Sequence, residues 1–128
     1  MESVILDSSA VIALFNSADH HHGAIVTAMA GSSATFSIST ITATETLVAP
    51  ARISLRELEA FGSALAKSFG EFLPMDTQVA IKAATIRATT AIATPDAIIS
   101  ATAAVFGLTL WTCDKKLAKA HKGARLIG

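Results

Sequence analysis

Charge is scarce in this chain. Of its 128 residues, ten are Lys or Arg and ten are Asp or Glu, 16% in all, against about 25% in a typical soluble domain. The signs cancel to a formal net charge of zero, so no overall field marks the chain as a nucleic-acid binder. Cysteine is limited to Cys113, which excludes an internal disulfide and makes a reducing cytoplasm the natural compartment. No apolar run reaches the ~18 residues of a membrane span, and no charged-then-apolar leader opens the sequence. Phosphate loops, dinucleotide glycine fingerprints, internal repeats and low-complexity linkers are also missing.

Hydrophobic residues, in contrast, make up 52% of the chain. The length predicts one domain over residues 1–128, large enough to bury about two-thirds of its unfolded surface without a structural metal. So few charges over so much apolar content predict that a partner covers part of the surface.

Val4-Ile5-Leu6 reads as a short strand and Asp7-Ser8-Ser9 as a helix start, with an apolar helix running to Phe15. Asp19 to Gly23 is a polar break before a helix over Ala24 to Ala30. Thr35 to Ser39 alternates like a strand, and Thr40 to Val48 reads as a helix stopped by Pro50. From Ser54, Leu55, Leu58, Phe61, Leu65 and Phe69 recur at spacings of three and four, which predicts an amphipathic helix ended by Gly70. Glu71 to Pro74 is a strand-like link. Helices follow over Thr77 to Thr90 and from Thr94-Pro95 to Phe106. Leu108 to Thr112 is a strand, Asp114 to His121 a helix and Ala124 to Ile127 a last strand. Strands alternating with helices predict an α/β fold with a mainly parallel sheet.

The informative feature is where the acids stand alone. Between Glu2 and Asp19 the only charged residue is Asp7. Between Asp19 and Arg52, histidines aside, it is Glu45. Between Arg87 and Lys115 there are only Asp96 and Asp114. Asp7 and Asp114 follow strands, and Asp96 opens a helix. In an open parallel sheet such positions share the carboxyl edge, where ligands bind at the switch point of strand order. Clustered carboxylates repel one another, and a hard divalent cation such as Mg²⁺ or Mn²⁺ resolves the repulsion with oxygen ligands. Each acid also has a purely structural reading. Asp7 and Asp114 suit N-caps, Asp96 suits the positive end of a helix dipole, and Thr42-x-x-Glu45 fits a capping box.

Lys115, Lys116, Lys119, Lys122 and Arg125 form a local basic patch just after Asp114, placed either to meet a phosphate backbone or to be a solvated helix face. Arg52 and Arg56 are further candidates for phosphate or partner contacts. His20-His21-His22 offers metal ligands without a visible partner and reads first as a polar loop. Cys113 reads as a packed side chain, and Trp111 as sheet core.

Val4-Ile5-Leu6-Asp7-Ser8-Ser9-Ala10 resembles the opening of PIN domains. Thr40 to Leu47 resembles their helix carrying an inward glutamate, here Glu45. Thr94-Pro95-Asp96-Ala97-Ile98-Ile99-Ser100-Ala101 resembles their third acidic segment, and Leu110-Trp111-Thr112-Cys113-Asp114-Lys115 the fourth. Order, spacing and length are similar to the VapC-type toxins of bacterial toxin–antitoxin pairs over essentially the whole chain. The resemblance implies a three-layer α/β/α domain with a parallel sheet of about five strands. It implies a Mg²⁺- or Mn²⁺-dependent endoribonuclease, usually a homodimer, held inactive by a cognate antitoxin. By position Asp7, Glu45, Asp96 and Asp114 take the acidic roles, with Thr112 and Ser8 as polar helpers and Asp7 and Asp96 as the usual metal ligands.

Phosphodiester hydrolysis needs a water made nucleophilic near neutral pH and neutralisation of charge on the phosphate, and a bound divalent ion supplies both. On this reading Asp7 and Asp96 hold the metal, and Asp114 reaches it through water or holds a second ion. Glu45 orients or deprotonates the attacking water. Two enzyme and signalling classes fit poorly. A receiver domain needs an acidic pair after its first strand, where Asp7 stands alone. A haloacid-dehalogenase-type phosphatase needs an Asp where Ser9 stands. The alternative from another class is a catalytically silent PIN-like domain that binds RNA or protein.

Overall fold

A computed structural model describes residues 2–128. Val4, Ile5 and Leu6 are fully buried, as a central strand covered on both faces requires, and they form β1 (Ser3–Leu6). β2 (Thr35–Ser37), β3 (Thr109–Thr112) and β4 (Arg125–Leu126) complete a sheet in the order β2-β1-β3-β4. Every pairing is parallel, with Ile5 opposite Ser37 on one side and Leu110 on the other. The Glu71–Pro74 link contributes one parallel bridge, Leu73 to Ser39, outside β2. Gly70 with φ +70° on one side and Pro74 without an N–H on the other leave no length for a fifth ladder.

Between the strands run α1 (Ser8–Phe15), α2 (His22–Ala30), α3 (Thr40–Ile53), α4 (Leu55–Phe69), α5 (Thr77–Thr89), α6 (Thr94–Phe106) and α7 (Lys115–Ala120). Ser39, Ser54 and Asp76 cap α3, α4 and α5 by accepting the N–H of Thr42, Glu57 and Val79, which satisfies donors that a helix start otherwise leaves orphaned. Gly107 ends α6 in the left-handed region, φ +66° and ψ 40°, a conformation that carries no Cβ penalty only in glycine. Pro50 does not stop α3, contrary to expectation. Proline removes a single bond to the carbonyl one turn back, and only three helical residues remain beyond it before Ser54 N–H closes on the Pro50 carbonyl at 3.2 Å.

The alternation within β1 and β3 sorts the core into two layers. Val4, Leu6 and Trp111 face α1, α2 and α4, packing with Val11, Ile25, Leu65 and Phe69. Ile5 and Leu110 face α6 and α7, packing with Ala97, Ile99, Ala103 and Leu117. α5 lies further out, its Val79 and Ala83 set against Ile98 and Ala101 of α6. The result is the three-layer α/β/α arrangement that the resemblance implies.

At the end of α7, the Nδ1 atom of His121 lies 2.6 Å from the Ser100 hydroxyl. Burial lowers the pKa of this imidazole from 6.5, because a charged ring would lose its hydration. The unfolded ring therefore binds more protons in acid. The stability that His121 contributes is complete above its unfolded value and is lost as pH falls through it. Thermal melts over roughly pH 7.5 to 5.5 should show the wild type losing more stability than His121→Asn. Parallel pH profiles would contradict the assignment.

Candidate active site

From β1 the chain first lays β2 on one side and later β3 on the other, so strand order reverses between β1 and β3. In an open parallel sheet the crevice beyond those two strand ends is the natural ligand site. Asp7 follows β1 directly. Thr112 closes β3, and Asp114 stands two residues on.

Asp7 is 2% exposed. Its Oδ1 accepts the Ala10 N–H at 3.0 Å, its Oδ2 accepts the Thr112 hydroxyl at 2.6 Å, and the Ser9 hydroxyl donates across both oxygens at 2.8 and 2.9 Å. Burial raises the pKa of Asp7 above the usual carboxylate value; the bonds from Thr112, Ala10 and Ser9 oppose the rise and the Asp114 charge adds to it. Asp7 is thus the N-cap of α1 and a bridge to β3 at once, so the capping and site readings coexist. Asp114 caps α7 by accepting the Lys116 N–H at 2.8 Å, and its own N–H donates to Thr112 Oγ1 at 3.0 Å.

Glu45 sits exposed on α3, where its Oε1 accepts the Ser8 hydroxyl at 2.6 Å. The capping-box reading of Glu45 is overturned: the N-cap of α3 is Ser39, and Thr42 lies buried inside the helix. Asp96 lies in the first turn of α6, with Pro95 before it. Its carboxyl is pushed up to about 6, first by burial and then by the charges of Asp114, Asp7 and Glu45, with Lys116 opposing. Asp96 therefore feels the charges of the other three acids, and Asp7 feels that of Asp114, while among the described residues no three of these carboxylates bring oxygens within 4.8 Å of one another. Among the described residues none has a basic partner within 4.0 Å, and the one ion-pair contact is His21 to Asp19. Carboxylate and hydroxyl oxygens around uncompensated negative charge are the donor set that suits a hard divalent cation.

Ser9 is the residue that sequence reasoning missed, naming only Ser8. Its hydroxyl holds Asp7 and also accepts the Cys113 N–H at 3.0 Å, tying α1 to the end of β3. The signal was present in Asp7-x-Ser9, since a serine in the first turn after an acidic cap lies within reach of that carboxylate. Trp111 is core, edge-on to Phe36 at 5.1 Å and covered by the Arg125 guanidinium at 4.4 Å. Cys113 is buried and its thiol is pushed up to about 11, so it offers no thiolate near neutral pH. Lys115, Lys116, Lys119, Lys122 and Arg125 are all exposed.

Replacing Thr112 by Val should test the bridge. A buried carboxylate would lose its shortest hydrogen bond at constant side-chain shape, and bonds to charged groups are worth about 1.5–3 kcal/mol. Urea denaturation at neutral pH should register a loss of that order; a loss under ~0.5 kcal/mol would show that Ser9 and Ala10 suffice.

Architecture and crevice together define an α/β/α domain with an acidic cleft at the carboxyl edge of its sheet. The chain belongs to the PIN domain family, which it matches over residues 4–123. Among solved structures it is similar to a toxin–antitoxin complex from Klebsiella pneumoniae, with 26% identity, 90% of each chain covered and a TM-score of 0.73. DNA-bound VapBC from Salmonella typhimurium aligns at 25% identity over 98% of this chain and 97% of the other, with a TM-score of 0.73. VapC20 of Mycobacterium tuberculosis, a sarcin-ricin loop cleaving toxin, shares the fold at 18% identity, 98% and 99% coverage and a TM-score of 0.77. No curated protein matches the chain.

Proposed function

We propose that this chain is the toxin of a toxin–antitoxin pair, a Mg²⁺- or Mn²⁺-dependent endoribonuclease restrained by a cognate antitoxin. The observation that carries the reading is the placement of Asp7 and Asp114 just beyond the two central strands of a PIN fold, with Asp96 within reach of their charges and that of Glu45 and none of the four ion-paired among the described residues. Asp7 and Asp96 would hold the ion, with Asp114 reaching it through water or holding a second. When bound, the ion supplies Lewis-acid neutralisation of charge on the phosphate and acidifies the attacking water. Glu45, steadied by Ser8, orients that water or takes its proton. Thr112 and Ser9 fix the Asp7 carboxylate, and the lysines of α7 and beyond meet the RNA backbone. A metal-dependent RNA cleavage assay of the wild type and Asp7→Asn is the test. Cleavage that needs both Mg²⁺ and Asp7 supports the reading; RNA or antitoxin binding without cleavage by the wild type would favour a silent binding domain.

The expected partner surface also has support. A cavity of about 350 Å³ opens between α1, α3 and α4, lined by residues that include Ile12, Phe15, Ile53 and Phe61. Ile53 and Leu55 beside it are 74% and 68% exposed. The groove starts one turn beyond Ser8 and Glu45 on the same two helices, so a protein seated there reaches toward the acidic cleft. We assign it to the antitoxin. No described helix is long and apolar enough to cross a membrane, and the cytoplasm remains the proposed compartment. Self-association fits the remaining exposed apolar side chains, Ile81 of α5 among them at 66% exposure. The purified chain should sediment as a homodimer at micromolar concentration; a monomer with full nuclease activity would contradict this.

A further inference from the structure

The loop between α1 and α2 brings together a second set of ligand atoms. Asp19, His20 and His21 each present one such atom within 4.8 Å of the others. These are one carboxylate oxygen and two imidazole nitrogens, the donor mixture of borderline transition metals and a poor one for Mg²⁺.

The geometry between two of them is informative. His21 Nδ1 and Asp19 Oδ1 are 3.6 Å apart, too long for a hydrogen bond. Two ligands at about 2.1 Å from a tetrahedral ion lie roughly 3.4 Å from each other, so the observed gap is close to one edge of such a tetrahedron. The His20 and His21 rings face each other, centroids 3.8 Å apart and tilted by 41°, so both are held on one side of the loop.

The loop is also fixed before any ligand arrives. Asp19 Oδ1 accepts the His21 N–H at 2.8 Å, and the Asp19 carbonyl accepts the His22 N–H at 3.0 Å. The His22 ring is committed elsewhere, its Nδ1 lying 2.7 Å from the Ala13 carbonyl. Gly128 packs so closely on the His21 ring that a Cβ there would collide with it. The carboxylate of Asp19 supplies the negative charge that a cation needs beside the N-terminal end of α2.

We propose that Asp19, His20 and His21 form a binding site for a divalent transition metal, Zn²⁺ in the first instance, with water completing the coordination. The site uses none of the side chains of the four acids. Its occupation ties three side chains of the α1–α2 loop to one ion, so it acts on stability and not on the nuclease chemistry.

Titration calorimetry with Zn²⁺ alone, on the full chain without a histidine tag and carrying Asp96→Asn to weaken the cleft, tests the proposal. One Zn²⁺ should bind, with a rise in Tm, and Mg²⁺ should neither compete nor produce the rise. His20→Ala with His21→Ala should abolish binding while leaving the metal-free Tm near that of the parent. Asp19→Asn, which keeps an acceptor for the His21 N–H, should weaken binding at least ~10-fold. Should the double histidine variant misfold, the Asp19→Asn result decides. Zn²⁺ binding of unchanged stoichiometry and affinity in these variants would overturn the site. Because the readout is Zn²⁺ binding and not RNA cleavage, failure here leaves the nuclease reading standing, and failure of that reading leaves this one.

Discussion

Asp96→Asn should lose RNA cleavage by about a thousandfold while melting no lower than the wild type. The loss follows from removing a proposed ion ligand: electrostatic groups aimed at developing charge are each worth roughly 10²–10³ in rate, about 3–4 kcal/mol of barrier. The retained stability follows from the surroundings of Asp96. Its carboxyl is flanked by the charges of Asp114, Asp7 and Glu45, with Lys116 as the only opposing influence. Without metal, this arrangement is repulsive. Asn keeps the shape and removes the charge. Because Asp96 is only half-buried, solvent screens the repulsion, and the gain in metal-free buffer should be about 1 kcal/mol, or ~4 °C for a chain of this size. Mg²⁺ should raise the wild-type Tm and leave the variant unmoved, because a ligand stabilises only the state that binds it. Equal metal-induced shifts in both proteins would remove Asp96 from the ion's ligands.

Ile53→Asp should leave the fold intact and abolish tight binding of the antitoxin. Ile53 ends α3 with 74% of its surface exposed and lines the cavity shared with α1 and α4. Exposed substitutions of this kind change stability by under ~0.5 kcal/mol. At an interface the same side chain would be desolvated against an apolar partner. A buried anchor is worth 2 kcal/mol or more on truncation, and an unpaired charge in its place adds a desolvation cost. A dissociation constant at least ~30-fold weaker is expected, measured by titration against the proposed cognate antitoxin. Asp7→Asn should bind that protein nearly as well as the wild type. Undiminished affinity of Ile53→Asp would place the antitoxin on another face.

Local patterning was enough to read the sheet and its acids. Val4-Ile5-Leu6 and Leu110-Trp111 are continuous apolar runs, and such runs make central parallel strands when helices cover both faces. Once those strands are central, Asp7, Thr112 and Asp114 must stand at their carboxyl ends, and Asp96, at a helix start, lies within reach of the charges of Asp7 and Asp114. What stayed hidden depended on competition between local signals. Ser39 and Thr42 are both good caps, and only tertiary packing, which buries Thr42, decides that Ser39 caps α3 and frees Glu45 to meet Ser8. The fate of Pro50 depends on how much helix follows it. The reach of Ser9 to the Cys113 N–H spans 104 positions in sequence and has no local signature. The Asp19–His20–His21 cluster was visible as a histidine run, but its carboxylate partner emerges only from how the loop turns.

The most direct measurement of the central claim is the position of Mn²⁺ in crystals of the chain, located by its anomalous scattering. The ion should lie in the crevice beyond β1 and β3, about 2.0–2.6 Å from carboxylate oxygens of Asp7 and Asp96, with Asp114 in direct or water-mediated contact. Crystals at saturating Mn²⁺ with no ion in that crevice, or with ions only at exposed carboxylates elsewhere, would contradict a shared metal site for the four acids.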